Sequence, residues 1–311
     1  DWPAEGGEPV TSFTTRKYLT KVIARDRLTS CLLEELREQH PEVELHFNVE
    51  CQRVTFQPSS VELELNHVQE GPATTSSLVS ASWVVGADGV RSTVRREMEQ
   101  AGANCASQRL PDRRKTLYRT IPIPLEKGAP ADFNLSVRNG DIGIEALPNV
   151  EEKISGVVLF PGGEEDSSAL SKCSTGAEAR AVFEDLFPSW PTPLLTDEVF
   201  EDFAARKDSN LPQFSYCGPE LHLKGQAVLV GDAIHSVKPY FGLGVNSAFE
   251  DVIALDGFLK EALAAGGAKS EREENSGADV AAADLQGAFS RYSSSRAPEA
   301  RDLVESQYSL D

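Results

Sequence analysis

The stretch Gly225–Leu259, GQAVLVGDAIHSVKPYFGLGVNSAFEDVIALDGFL, decides how the rest of the sequence is read. An apolar run, Ala227–Val230, stands directly before Gly231-Asp232. A glycine-broken corner follows at Gly242-Leu243-Gly244, and then Val245, Ala248, Phe249, Val252 and Ile253 recur at helical spacing. A short, wholly apolar run bounded by turn residues predicts a buried strand, and the 3–4 spacing predicts a helix that turns this apolar face to a core. Ligands of open α/β sheets bind outside the carboxyl ends of the strands, so Asp232 is placed to accept hydrogen bonds from a bound hydroxyl. Gly242 and Gly244 let the backbone approach a flat ligand, and Asn246 is the expected N-cap, leaving the amides of Gly244, Val245 and Asn246 outward with partial positive charge. Asp232 alone is compatible with a plain turn. The whole string of Gly231-Asp232, His235, Pro239, Gly242, Gly244, Asn246 and Glu250-Asp251 points to a ligand.

A second glycine-aspartate turn lies upstream in SLVSASWVVGADGVRSTVRREME, residues 77–99: an apolar strand ending at Val85, then Gly-Ala-Asp-Gly, then a helix from about Ser92. A bare carboxylate repels phosphate, so Asp88 is expected to orient the turn or a neighbouring Arg91 or Arg95; a simple turn-forming Asp before Gly89 is the other reading.

Between and around these landmarks the pattern changes by segment. RDRLTSCLLEELREQH, Arg25–His40, sets Leu28, Cys31, Leu32 and Leu36 at helical spacing before Pro41. RKYLTKVIA (16–24), VELHFNV (43–49), QRVTFQ (52–57) and SVELELNHV (60–68) read as strands. From Thr116 to Pro161 further β-like runs, broken by Gly, Pro and Asn, predict an antiparallel sheet inserted between two parts of another domain. Residues 177–187 predict a helix ended by Pro188, residues 264–283 a polar linker, and the chain from about Asp284 a last helix.

The 311 residues carry a formal net charge of −19, with 40% hydrophobic and 25% charged residues. This balance reads as globular and argues against nucleic acid as a partner, since no Lys/Arg block breaks the acidic excess. The five cysteines lie far apart with no C-x-x-C pair, which predicts reduced thiols and no metal site. No run of about 18 apolar residues occurs, so no transmembrane segment is expected in this chain. The first residue is Asp1, the only methionine is Met98, and the last helical pattern has no terminal cap, so a chain truncated at both ends is expected.

Both turns, with RDRL…LLEEL, GADGVRSTVRR, IEALPN, FEDLFP, VLVGDAIHSVKPYFGLGVNSAFED and FSRY, resemble the class A FAD-dependent aromatic monooxygenases, and among them the kynurenine 3-monooxygenases. The resemblance runs from Arg25 to the C-terminus. It implies an α/β fold with an α+β insert: a Rossmann-like FAD/NAD(P)-binding domain carrying an inserted antiparallel β-sheet substrate domain, as in p-hydroxybenzoate hydroxylase-like flavoproteins. The expected boundaries are 1–105 and 225–311 for the two parts of the FAD-binding domain and 106–224 for the substrate domain.

The resemblance also assigns roles. Asp232 holds the FAD ribitol, and Leu243, Gly244, Val245 and Asn246 run over the pyrimidine end of the flavin. Pro239 lies by the reactive edge, which Tyr240 and Phe241 also line. Arg25 is an FAD-contacting arginine, Cys51 a backbone contact on the adenosine side, and Asp88 with Thr93 the motif near the pyrophosphates of FAD and NADPH. No catalytic side chain is assigned: His235 as a general base and Tyr240 as a donor to substrate stand beside the reading in which both pack and pin the loop. NADPH is the implied electron donor, and O2 with a small aromatic substrate, kynurenine or a related aromatic acid, the implied reactants, through a flavin C4a-hydroperoxide. The implied location is cytoplasmic or peripheral to an organelle membrane.

Three departures matter. No G-x-G-x-x-G is found, so the N-terminal dinucleotide unit is expected to be missing and FAD binding by this chain to be weak or absent. Leu243 stands where the resembled enzymes usually carry Gln, and Phe13 falls near an expected substrate-contacting Tyr. A same-fold monooxygenase or epoxidase for another substrate, or a non-catalytic remnant, remains the alternative.

Overall fold

The computed structural model describes residues 1–3, 10–12, 22–68, 75–125, 134–148, 153–163, 168–270 and 282–311. In chain order the elements begin with β1 (Trp2–Pro3), α1 (Arg25–Gln39), β2 (Val49–Phe56), β3 (Val61–His67), β4 (Thr75–Ala81), β5 (Val84–Gly86), α2 (Thr93–Gln100) and β6 (Ser107–Arg109). They continue through β7 (Thr116–Pro124), β8 (Leu135–Asn139), β9 (Ile142–Pro148), β10 (Lys153–Pro161), α3 (Ala169–Lys172), α4 (Gly176–Leu186), α5 (Asp197–Ala205) and β11 (Ser209–Asn210). The last are β12 (Ser215–Cys217), β13 (His222–Leu223), β14 (Ala227–Leu229), β15 (His235–Ser236), α6 (Leu243–Ser270) and α7 (Ala282–Leu310).

Two units divide the chain: Asp1–Glu44 with Arg114–Leu211, and Leu45–Arg113 with Pro212–Asp311. In the first, six strands form one sheet in the order β1-β8-β9-β10-β7-β11, antiparallel except for the β1–β8 pair. Along β7, Arg119, Ile121 and Ile123 are buried while Thr120, Pro122 and Pro124 are exposed, the period-2 alternation of a sheet covered on one face. That face packs Ile121, Ile144, Val158 and Phe160 against Phe183, Phe187, Phe200 and Phe203 from α4, its end and α5. Thr175 and Glu178 close a capping box at the start of α4. α1 forms over the expected residues but has no buried residue, and Leu32 is 51% exposed.

Among the described residues, the second unit has three three-stranded sheets. β2-β3-β4 is an antiparallel meander with an irregularity between Cys51 and Arg53. In β13-β14-β5, β14 runs parallel to β5, and β15-β12-β6 is antiparallel. α2 packs on β2, β5 and β14, and α6 packs on α7. Val94, Met98, Val228, Leu229, Ile234, Phe289 and Tyr292 are part of the shared core.

Several expectations change. The strand expected at 43–49 is absent before Val49, because turn residues at 41–42 and Asn48 at φ 57° break the extended chain. Of the strand expected at 16–24, residues 16–21 lie outside the described residues and 22–24 are irregular. Phe13 also lies outside them. α6 continues to Ser270, into the expected linker, of which 271–281 lie outside the described residues. The apolar face of α6 is not turned to the core: Val245, Phe249, Val252 and Ile253 are exposed, Ile253 by 71%. Ser247, Asp251, Leu255 and Ala262 face inward instead, because buried polar partners hold Ser247 and Asp251 there. Among the described residues no helix is long and apolar enough to cross a membrane.

Candidate functional site

The two glycine-aspartate turns leave neighbouring strands at the same edge. β5 and β14 pair in parallel with Gly86 opposite Leu229, and the Val230 amide donates to the Gly86 carbonyl at 3.1 Å. Asp88 follows β5 by two residues and Asp232 follows β14 by three, so both carboxylates lie at the carboxyl end of one sheet. Asp88 Oδ2 accepts from the amides of Thr93 (2.6 Å) and Val94 (3.1 Å), while Ser92 Oγ accepts from the Arg95 amide at 2.9 Å. The first amides of α2 are thereby satisfied. Asp88 orients the turn through this helix start and not through an arginine. Arg95, largely buried, instead donates to the carbonyls of Ala233 and Val90 and so bridges the two turns.

Gly231–Ala233 form a single 3-10 turn that begins at Gly231 with φ +63°, a left-handed geometry that favours glycine. Asp232 is exposed, and its carboxylate makes no hydrogen bond to a described residue. Downstream, Pro239–Phe241 form another 3-10 turn that ends at Gly242, also at φ +63°, and α6 begins at once with Leu243. Asn246 is therefore not the N-cap. It lies within the first turn of α6, where its Nδ2 donates to the Gly242 carbonyl at 2.9 Å. The amides left without intrahelical acceptors are those of Leu243, Gly244 and Val245, one residue earlier than expected. Pro239 and Tyr240 are exposed, and of Phe241 only the backbone is described. Lys238, just before them, is buried between Asp311 (2.7 Å) and Asp112 (3.4 Å) with its ammonium over the Phe214 ring.

His235 is wholly buried, with Nε2 2.8 Å from Asp251 Oδ2. A ring without exposure cannot reach a ligand on the outer side of the turn, so it pins the loop. Asp251 in turn binds Arg296 of α7 at 2.7 Å. The importance of that arginine escaped sequence reasoning, since nothing local marks a partner 45 positions away.

Cys51 lies on β2 with its thiol 3.5 Å from the Arg53 carbonyl; burial first, then the Asp88 charge, push this thiol's pKa up. Thr93 is the first residue of α2. A groove of about 630 Å³ runs between β2 residues Gln52–Phe56 and Arg96, Glu97, Gln100 and Ala101, and none of the expected site residues lines it. Arg25 opens α1 in the other unit, its carbonyl accepting from Thr29 Oγ1 at 2.9 Å.

An exposed carboxylate acceptor, a left-handed glycine corner and three amides without intrahelical acceptors at the start of a long helix form one donor and acceptor set. It fits a polyol chain joined to a flat ring whose edge takes up negative charge, as in a flavin nucleotide. Residues 9–283 match the family described as FAD binding domain. The chain belongs to this FAD-binding family. Among curated relatives, kynurenine 3-monooxygenase of Salinispora arenicola is 29% identical over 270 residues, 81% of this chain and 53% of the relative. Among solved structures, Klebsiella pneumoniae HpxO complexed with FAD and uric acid has a TM-score of 0.58 at 18% identity, covering 90% of this chain and 61% of that one. PqsL of Pseudomonas aeruginosa in complex with 2-aminobenzoylacetate has a TM-score of 0.58 at 24% identity, covering 90% and 67%. The fold is that of the FAD-binding monooxygenases, mixed α/β with several sheets. The chain spans about half the length of the curated relatives it matches.

Proposed function

We propose that this chain supplies part of the flavin site of an NADPH-using monooxygenase that inserts one oxygen of O2 into kynurenine or a related aromatic acid. One observation carries the reading: Asp232, exposed and without a hydrogen bond to a described residue, follows β14 in the same loop-to-helix segment as the Gly242 corner and the first amides of α6, which have no intrahelical acceptors. Asp232 accepts hydrogen bonds from the ribitol. The amides of Leu243, Gly244 and Val245 face the pyrimidine edge, where an oriented helix start contributes about 0.3–2 kcal/mol toward negative charge. Asn246 braces that corner through Gly242. Pro239 and Tyr240 shield the reactive edge from water. Asp88 and Thr93 shape the turn beside the phosphates, with Cys51 as a further contact to the nucleotide. When bound, FAD supplies the redox chemistry, taking electrons from NADPH and activating O2.

The relatives' name supports kynurenine as substrate. A second reading, another small aromatic substrate, is supported by the neighbours bound to uric acid and 2-aminobenzoylacetate and by Leu243. Titration of the chain with FAD, followed by flavin fluorescence, is expected to show weak, saturable binding that Asp232→Ala lowers about 10-fold, the loss of one good acceptor to a hydroxyl. Absence of binding at millimolar FAD, or an unaffected D232A, would sink the flavin reading. NADPH consumption decides the substrate: acceleration by kynurenine with a hydroxylated product supports it, and acceleration only by another aromatic acid selects the second reading.

A further inference from the structure

Beneath the Gly231–Asp232 turn lies a carboxylate that none of these flavin contacts uses. Asp251, on α6, is 0% exposed. Its Oδ2 accepts from the Gly231 amide at 2.9 Å and from His235 Nε2 at 2.8 Å, and its Oδ1 accepts from Arg296 Nε at 2.7 Å. Arg296, also buried, reaches Glu299 and the carbonyl and hydroxyl of Ser247, and Ser247 Oγ lies 3.2 Å from His235 Nε2. Burial works to lower the Arg296 pKa, but the Asp251 bond and the Glu299 and Glu250 charges outweigh it and raise the value, so the guanidinium stays charged. His235 Nε2 faces a carboxylate oxygen, which can only accept, so Nε2–H donates to Asp251, while the buried Nδ1 has no partner among the described residues.

A buried ion pair adds little net stability over apolar residues of like volume. What this one adds is direction. One carboxylate oxygen receives the backbone amide of the residue immediately before Asp232 and the side chain of the residue three after it. The other is held by α7. Two bonds from elsewhere brace the same segment: Tyr292 of α7 donates to the Leu229 carbonyl at 2.9 Å, and Arg95 donates to Ala233.

We propose that Asp251 is the positioning residue of the flavin site: it draws the Gly231 amide inward and thereby presents Asp232 outward, while His235 and Arg296 fix Asp251 so that α7 sets the pose of the turn. This rests on reading the turn as a flavin contact, and the test separates the two claims. Hydrogen–deuterium exchange of the full chain without flavin is compared between wild type and Asp251→Asn. The peptide spanning Gly231–Ala233 is expected to exchange about 10-fold faster in D251N, the loss of one charge-assisted bond, with the β7–β10 sheet unchanged. FAD affinity falls in parallel. His235→Gln, which can place an amide N–H where Nε2–H stood, retains slow exchange, whereas His235→Leu behaves as D251N does; a purely space-filling role would not separate these two.

Unchanged exchange at Gly231–Ala233 in D251N overturns the proposal, as does unchanged FAD affinity where wild type binds. Faster exchange in a chain that binds no FAD upholds the hold on the turn and overturns the flavin reading. If D251N does not fold, the His235 pair decides, and equal exchange in H235Q and H235L overturns the proposal.

Discussion

Asp88 and Asp232 occupy like places in two like turns, and their neighbours give them different tasks. The oxygen of Asp88 is taken up by the first amides of α2, so this residue shapes a helix start, while Asp232 is exposed and makes no hydrogen bond to a described residue. The cysteines divide in the same way. Cys31 is exposed and Cys51 half-buried, whereas Cys105 and Cys217 are wholly buried, with burial pushing their thiols up to about 11 and about 12. A thiol reagent at neutral pH is therefore expected to label Cys31 quickly and Cys51 slowly, and Cys105, Cys173 and Cys217 only in denaturant. Mass spectrometry of labelled peptides reads this directly, and early labelling of Cys217 in the native protein would contradict the packing described.

β5, β14 and α2 meet at Gly86, where a Cβ would lie 2.7 Å from Leu229 Cδ2 and 2.8 Å from Val94 Cβ. Gly86→Ala is expected to destabilise the protein by about 1–3 kcal/mol, as overpacking does. Urea unfolding measures it, and a change under about 0.5 kcal/mol, the scale of a neutral surface substitution, would mean that α2 sits less tightly on the strands. Helix existence was readable in α1, α2, α4, α6 and α7 because periodicity and caps are local signals. The buried face was not. In α6 the apolar row stays exposed while Ser247 and Asp251 turn inward, since buried partners on β15 and α7 satisfy their polar atoms. The start of α6 was misplaced because Gly242, in a left-handed conformation, closes the preceding turn and lets the helix begin without a side-chain cap.

At the scale of the molecule, an antiparallel sheet interrupts, in chain order, the two segments that make the turn-bearing unit. Distant parts of that unit are tied together by Lys238, whose buried ammonium meets Asp112 and Asp311. Burial works to lower its pKa, but the bond to Asp311, then the charges around it, Tyr240, Asp311 and Asp112, raise it above the ordinary 10.5. The folded state holds this proton more tightly than the unfolded chain. Its contribution is therefore fully present below about pH 10.5 and is lost as pH rises through the raised folded value. Stability measured by urea unfolding should show Lys238→Met well below wild type at pH 8 and the two curves drawing together in strong alkali. A constant gap at all pH values would show that Lys238 acts by packing alone.

By itself the sequence determined the antiparallel runs of the inserted sheet and the strand–turn–helix order of both glycine-aspartate motifs, because these depend on residues within a few positions of one another. The tertiary structure alone decided that the two turns share one sheet edge, that Arg95 joins them across 138 positions, and that Asp251 ties the second turn to α7. Those are pairings between distant segments, fixed by burial and by the need of each buried charge and amide for a partner, and no local pattern encodes which partner it will be.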